Sequence, residues 1–434
     1  GSAGSSPSGT KPKSGRKNGN KKYARVIADE DDDDIELPVV LMAPESNGRP
    51  PSRPLVGMDD GVEDVELADC PVTQWGASIP DILAAQRAKR AAPEQPFLHV
   101  LEPPSADPDA QLRWLADHRD EVNAKLASHG AVNLRGWDLI RTPEGFRAAY
   151  EALGLEPCRD PLDAVSARPM VDKASAVYEA VNKESRANFY IGMHNEFVGT
   201  RAPRAAMFVC FKQAEEGGEF MVCDGRRVFR DCDEELLARL YGRRIRYSVM
   251  ELPFFSFLDG LPEEVAAGPV KIPLRAGAAS AVRGVVAAAI NAKVDFDVDM
   301  QWLDDEASAY GDDKTLQARA PVQPPVVLHP ATGEPTWFCN VHSHSSVLRK
   351  KRESIYGAEK FEDGASRINK SDMYYGDDGS IAEGDLDHLD ELTRKHTVSL
   401  RMAPGDAVLV DNYQTMHGRN VFKGTRKHAV SWFK

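Results

Sequence analysis

In GMHNEFVGT (192–200), His194 and Glu196 stand two positions apart. On an extended backbone, residues two apart project from the same side, so an imidazole and a carboxylate can reach one point in space. Such donors suit a divalent metal, although a lone HxE recurs in many proteins and says little by itself. A second histidine is needed. The stretch GDAVLVDNYQTMHGRNVFKGTRKHAVSWF (405–433) offers His417 at the end of a strand-like AVLVDN. Two imidazoles and one carboxylate on one face of an iron ion leave three positions for a chelating cosubstrate and dioxygen. A second motif of the same spacing, His342 and His344 in NVHSHSS (340–346), reads instead as a loop with half-exposed histidines.

The elements that must position these residues are legible in outline. The segment DAQLRWLADHRDEVNAKLASHG (109–130) has apolar residues at helical spacing and a glycine to stop it, which predicts one helix. AVNLRGW (131–137) reads as a strand and TPEGFRAAYEALG (142–154) as a helix opened by Thr142 and Pro143. Beyond Tyr178 come short β-like runs between Gly, Pro and Asp: RAAMFVCFKQ, GGEFMVCDG, RIRYSVMEL, PPVVLHP, PTWFCNV, HTVSLRM and DAVLVDN. Many short strands after helices predict an α+β chain with a barrel or jelly-roll core. Two helical or irregular insertions, about 261–320 and 350–394, interrupt it.

At 434 residues and 42% hydrophobic content, the chain can build a sizeable core. Acids outnumber bases 67 to 54, a net charge of −13 that argues against a general grip on nucleic acid. No apolar run approaches the ~20 residues of a membrane span, and the expectation is a soluble intracellular protein, in the cytoplasm or an organelle. A targeting peptide removed ahead of residue 1 stays open. Six scattered cysteines without a CxxC pair indicate neither a disulfide framework nor a zinc knuckle. Residues 1–62, a cloning-scar-like GSAGSS, a basic Gly/Ser/Asn stretch and then DEDDDDIE (29–36), predict a disordered tail ahead of a folded domain at 63–434.

Three blocks then carry a resemblance. MHNEFVGTRAPRAAMFVCFKQAEEGGEF (193–220), VVLHPATGEPTWFCN (326–340) and GDAVLVDNYQTMHGRNVFKGTR (405–426) resemble, in this order, the signature blocks of the taurine dioxygenase (TauD/TfdA-like) family of iron(II)- and 2-oxoglutarate-dependent oxygenases. The similarity extends more weakly over about 120–434. It implies a double-stranded β-helix (jelly roll, cupin-like) flanked by helices, with His194, Glu196 and His417 as iron(II) ligands. It also implies 2-oxoglutarate and O2 as cosubstrates, and Arg426, nine residues past His417, as partner of the distal carboxylate. An arginine fork matches a carboxylate in two hydrogen bonds. Arg419, of the HGR triplet, competes for that role, because its face relative to Arg426 is ambiguous across the turn.

Two departures matter. The family commonly has a threonine after the Gly-Gly-acidic turn, where this chain has Phe220, so another hydroxyl substitutes or Phe220 packs beside the cosubstrate. Glu196 stands where many relatives carry aspartate; the retained carboxylate speaks against halogenation, which needs that position vacated. The implied reaction is hydroxylation or desaturation of an unactivated C–H bond of a small molecule, releasing succinate and carbon dioxide. Asn340, His342 and Phe220 are the expected substrate-side residues. The alternatives are a trimethylammonium (carnitine-pathway-like) hydroxylase, a catalytically silent jelly-roll binding module, and a macromolecular demethylase disfavoured by the acidic balance. His329 reads as a turn residue, Cys210 and Cys223 as core, WLDDE (302–306) as a solvated face, and YYGDDGS (374–380) as a turn.

Overall fold

The strand Ala205–Lys212 shows how the interior is divided. Its odd-numbered residues Ala205, Met207 and Val209 pack with helices, while Ala206, Phe208 and Cys210 pack on the opposite side. That alternation follows from the two-residue period of a strand and makes it a wall between two cores. The computed structural model describes residues 76–158, 170–172, 177–179, 187, 190–197, 202–253, 299–303, 315–319, 322–356 and 372–434. The expected tail at 1–62 and residues 276–293 of the first insertion lie outside them.

Among the described residues the large sheet has eight strands, in the order His99–Leu101, Ala131–Leu134, Ala407–Asp411, Ala205–Lys212, Lys427–Phe433, Val177–Glu179, Met170–Asp172, with Pro157–Cys158 also on Lys427–Phe433. Its first pair is parallel and the others are antiparallel. A smaller antiparallel sheet runs Thr397–Leu400, Phe220–Asp224, Thr415–Arg419, Ile191–His194. Phe220 and Val222 from this sheet share one cluster with Ala206, Phe208, Val408, Val430 and Trp432 of the large sheet, so the two pack face to face. Each fully buried large apolar side chain there contributes about 1.5–3 kcal/mol relative to exposure.

Helices cover both outer faces. Pro108–Asp117, Arg119–His129 and Pro143–Ala152 lay Leu115, Val122, Leu126, Phe146 and Tyr150 on the large sheet. Behind the small sheet, Met193, Met221, Cys223 and Met416 meet Ile82, Phe229, Leu237 and Leu389 from flanking helices. The expected helix 109–130 is two helices broken at His118, whose backbone lies at φ −108°, ψ 17°. The His118 ring stacks on Trp114, and its Nδ1 donates to the Trp114 carbonyl (2.9 Å), which also accepts from the His118 amide. That local bond competes with continuation of the helix. Gly130 ends the second helix in the left-handed region, at φ 73°.

All seven predicted β-runs form strands. The described parts of the two insertions also do more than expected: Asp299–Leu303, Thr315–Arg319 and Asp372–Tyr375 join Ile245–Pro253 in a four-stranded antiparallel sheet. Where the first insertion is described it is strand, not helix or irregular chain, because Ile245–Pro253 offers it an edge to pair with. The second also contributes the helix Glu383–Lys395. The chain is thus mixed α+β with several sheets. Among the described residues no helix is long and apolar enough to cross a membrane, and the five described cysteines are buried thiols.

Candidate metal centre

His194 ends the edge strand Ile191–His194 and lies directly across from His417 on Thr415–Arg419. Backbone pairing therefore brings together two histidines more than two hundred residues apart in sequence. Their rings are 4.4 Å apart between centroids. Glu196 lies just past the strand end, with Oε1 3.4 Å from His417 Nε2 and 3.7 Å from His194 Nε2. Ligand atoms bind a first-row divalent ion at about 2.0–2.2 Å, so neighbouring donors on an octahedral face stand about 3 Å apart. The two carboxylate–imidazole separations are slightly wider, and all three donor atoms lie within 4.8 Å of one another, close enough to converge on one ion.

The donor chemistry also fits. His194 Nδ1 lies 2.8 Å from the Gly192 carbonyl, which can only accept, so the proton sits on Nδ1 and the Nε2 lone pair faces Glu196. Among the described residues, His194, Glu196 and His417 are the group of histidine, cysteine and acidic side chains close enough to hold a metal. Glu196 and His417 are buried, whereas the His194 side chain is 20% exposed, which marks the open side of the centre. The Phe208 ring packs against His417 at 4.6 Å and against Phe220 at 4.6 Å, closing the opposite side with hydrocarbon.

Two asparagines hold the metal-facing segment, and neither role was foreseen. Asn340 Oδ1 accepts from the Asn195 amide (2.8 Å), and its Nδ2 donates to the Asn195 carbonyl (3.1 Å). Asn412 does the same to the next residue, accepting from the Glu196 amide (2.8 Å) and donating to the Glu196 carbonyl (2.7 Å). Asn195 in turn donates its side-chain amide to the Asn412 carbonyl (2.6 Å). An irregular segment with no sheet partner thus has the backbone groups of Asn195 and Glu196 satisfied by side chains. The Asn340 amide expected at the substrate is spent on this bracket. Asn412 sits beside Asp411 in the VDN block; a polar pair ending an apolar strand was the available signal.

Arg419 and Arg426 are both buried, and both guanidinium groups lie over the Phe422 ring, at 4.8 and 5.9 Å. The turn resolves the ambiguity of faces: both arginines reach one place, while Lys427 is exposed. Burial pushes the Arg426 guanidinium down to about 10, with the Cys210 thiol acting the other way. Arg426 is crowded by the Gly217–Gly218 turn, where a Cβ on Gly218 would meet Phe422 Cβ at 3.1 Å and Arg426 Cδ at 3.6 Å. Both glycines have positive φ, 66° and 72°, which explains the residue type on both counts. Phe220, after that turn, lies across from Arg419 on the neighbouring strand.

His329, His342 and His344 fall elsewhere. His329 Nδ1 accepts from the Ala331 and Thr332 amides, so its Nε2 carries the proton and donates to Asp411 (2.9 Å), a turn-stabilising arrangement. His342 and His344 occupy the short helix Val341–His344 and are buried. Asp377 and Asp378 form a turn, with Asp377 accepting from the Gly379 amide and pairing with Arg243.

The family model described as "Taurine catabolism dioxygenase TauD, TfdA family" matches residues 95–432, most of the chain. A curated relative, the dapdiamide synthesis protein DdaC of Enterobacter agglomerans, is 24% identical over 343 residues, covering 77% of this chain and 90% of that protein. Among solved structures, PvcB of Pseudomonas aeruginosa is 14% identical, covering 88% of this chain and 95% of its own, at a TM-score of 0.41. A taurine dioxygenase from Burkholderia xenovorans is also 14% identical, covering 78% and 88%, at a TM-score of 0.38. The match of the family model over most of its length decides the matter: the chain belongs to the TauD/TfdA family of iron(II)- and 2-oxoglutarate-dependent oxygenases.

Proposed function

We propose that His194, Glu196 and His417 hold the iron(II) of this oxygenase, that Arg426 pairs with the distal carboxylate of 2-oxoglutarate, and that the substrate is a small molecule. The observation that carries this reading is the convergence of two imidazole nitrogens and one carboxylate at the end of the small sheet, with the buried guanidinium groups of Arg419, two residues past His417, and Arg426, beyond the following turn. The facing sheets are read as a double-stranded β-helix within one catalytic domain, 63–434, behind a tail at 1–62. The acidic balance, 67 to 54, and the relative's role in dapdiamide synthesis support a small-molecule substrate.

Bound iron, with 2-oxoglutarate and O2, supplies the oxidant for an unactivated C–H bond, and succinate and carbon dioxide leave. The chain's own contribution is placement. Glu196 offsets the charge of the cation, and His194 presents a lone pair because Gly192 fixes its tautomer. Arg426 fixes the far end of the cosubstrate, and Arg419 assists from the facing sheet. Phe208 and Phe220 exclude water on the inner side, so substrate enters beside the more exposed His194. In this reading Phe220 is a wall of the cosubstrate pocket, while Asn340 and His342 act behind the site. Whether the carbon is hydroxylated or desaturated follows from how the substrate is held.

The test is anaerobic titration of the apoprotein with iron(II) and 2-oxoglutarate, following the weak visible charge-transfer band of the chelate. The band is expected at one equivalent per chain; folded protein without it refutes the assignment. Arg426→Ala should raise the 2-oxoglutarate needed for half-saturation roughly 10- to 100-fold, the range of hydrogen bonds to a charged group. If Arg419→Ala has that effect and Arg426→Ala does not, the two roles exchange.

A further inference from the structure

The two facing sheets line up their inner residues in layers. On the small sheet His417 lies across from Val222 and Arg419 across from Phe220. On the large sheet Val430 lies across from Phe208 and His428 across from Cys210. Phe208 touches His417, so Val430 and Phe208 belong to the layer of the metal donors. Arg419 and His428 are each two residues away from that layer along their strands. Two residues of strand advance about 6.6–6.8 Å, comparable to the span of a five-carbon diacid chelating a metal at one end.

Cys210, across from His428, reaches the Met402 carbonyl two residues past Leu400, and Leu400 lies across from Phe220, so His428 stands on the arginine side of that layer. It is buried and shares the inward face of its strand with Val430 and Trp432, while Ala429 and Phe433 turn to the helices. Arg426 precedes it by two residues, is buried as well, and interacts with the Cys210 thiol, the residue across from His428. Burial, followed by the nearby Arg426 and Arg419 charges, holds the His428 imidazole well below its ordinary pKa. It is thus a neutral ring with one N–H donor and one acceptor nitrogen.

We propose that His428 is a cosubstrate-binding residue, donating a hydrogen bond from its ring to the distal carboxylate of 2-oxoglutarate beside Arg426. The position after the Gly-Gly turn carries no hydroxyl here, because Phe220 fills it with a ring. A carboxylate has about four lone-pair sites, and an arginine fork occupies two. His428 supplies a further donor without adding a third positive charge to a layer that already holds two guanidinium groups. The inference rests on the assignment of 2-oxoglutarate to this pocket.

The experiment is the same anaerobic titration, run on wild type, His428→Leu and His428→Asn, with iron(II) affinity measured separately by chelator competition. Pyruvate serves as a second probe, because it chelates as 2-oxoglutarate does but has no distal carboxylate. His428→Leu, near the same volume without a donor, should weaken 2-oxoglutarate about tenfold. Its affinities for pyruvate and for iron(II) should stay at wild-type values. His428→Asn, which retains an N–H donor, should recover most of the loss. Wild-type 2-oxoglutarate affinity in the leucine variant would overturn the inference, as would equal losses for pyruvate, which indicate a collapsed pocket. Absence of the chelate band in the wild-type protein would instead remove the underlying cosubstrate assignment, and this inference with it.

Discussion

The segments His194-Asn195-Glu196 and His342-Ser343-His344 have the same spacing and comparable donor types, yet one converges on a metal-sized point and the other does not. The difference is backbone. His194 ends a strand and Glu196 continues extended, so both side chains meet His417 from one side. His342 and His344 occupy a helical turn, where residues two apart diverge by about 200°. His342 faces Asp390, at 3.5 Å, whereas His344 packs on the Tyr247 ring with Nδ1 beside Ser343 Oγ. A spacing rule acquires chemical meaning only with the secondary structure that carries it.

The comparison breaks if the helical pair binds iron. His417→Ala should lower iron(II) affinity by more than the roughly 10- to 100-fold typical of changes outside the ligand set. His344→Ala should leave affinity and stoichiometry unchanged, while lowering the midpoint of unfolding because it vacates a buried site against Tyr247. Equilibrium dialysis with iron(II) under argon reads both. Loss of iron in the His344 variant with retention in the His417 variant would invert the assignment.

The seven strand segments were legible in sequence because each depends on strand period, whereas the grouping of His194, Glu196 and His417, which the structure brings together, followed from the resemblance of three blocks and not from the HxE spacing alone. What the sequence hid depends on contacts across the fold. His118 divides a helix through a ring stack and a side-chain bond that periodicity does not register. Asn340 read as a substrate contact because its block borders the mouth in the family, but its amide is consumed by Asn195, 145 residues away. His428 is hidden because a histidine in a basic strand resembles a solvated one until its inward face is known. Strand pairing in the first insertion was hidden for the same reason, since its partner edge is formed by Ile245–Pro253.

A smaller effect sharpens the comparison by asking what keeps the extended segment extended. Asn412 ties both backbone groups of Glu196 and also donates to the Pro203 carbonyl (2.9 Å). Asn412→Ala strands buried polar groups, each costing about 1–3 kcal/mol of stability. If the bracket positions Glu196, iron(II) affinity should also fall about tenfold, within the range for groups that orient ligands. Chelator competition on protein kept well below its unfolding temperature separates the two. A large loss of stability with wild-type iron affinity would reduce Asn412 to a structural part.

The smallest expected effect distinguishes the helical pair by titration. Burial, then the Arg352 and Arg394 charges, holds the His342 imidazole well below its ordinary pKa. Both arginines also engage Asp390, at 3.7 and 3.0 Å, which blunts that carboxylate's pull on the ring. The unfolded chain takes up a proton on this histidine near pH 6.5, while the folded chain resists until a lower pH. As pH falls through about 6.5 the unfolded state binds more protons than the folded one and folding stability declines, whereas the slope from His342 fades as pH rises past about 7.5. Between pH 7 and pH 6 the loss from His342 amounts to roughly half to one kcal/mol. His428, held low in the same way, adds a similar slope. His342→Leu should remove about half of the combined decline, read as the difference in denaturant midpoint at the two pH values in the metal-free protein. An unchanged slope would mean that this imidazole is already protonated in the fold, and Asp390, not burial, would then govern it.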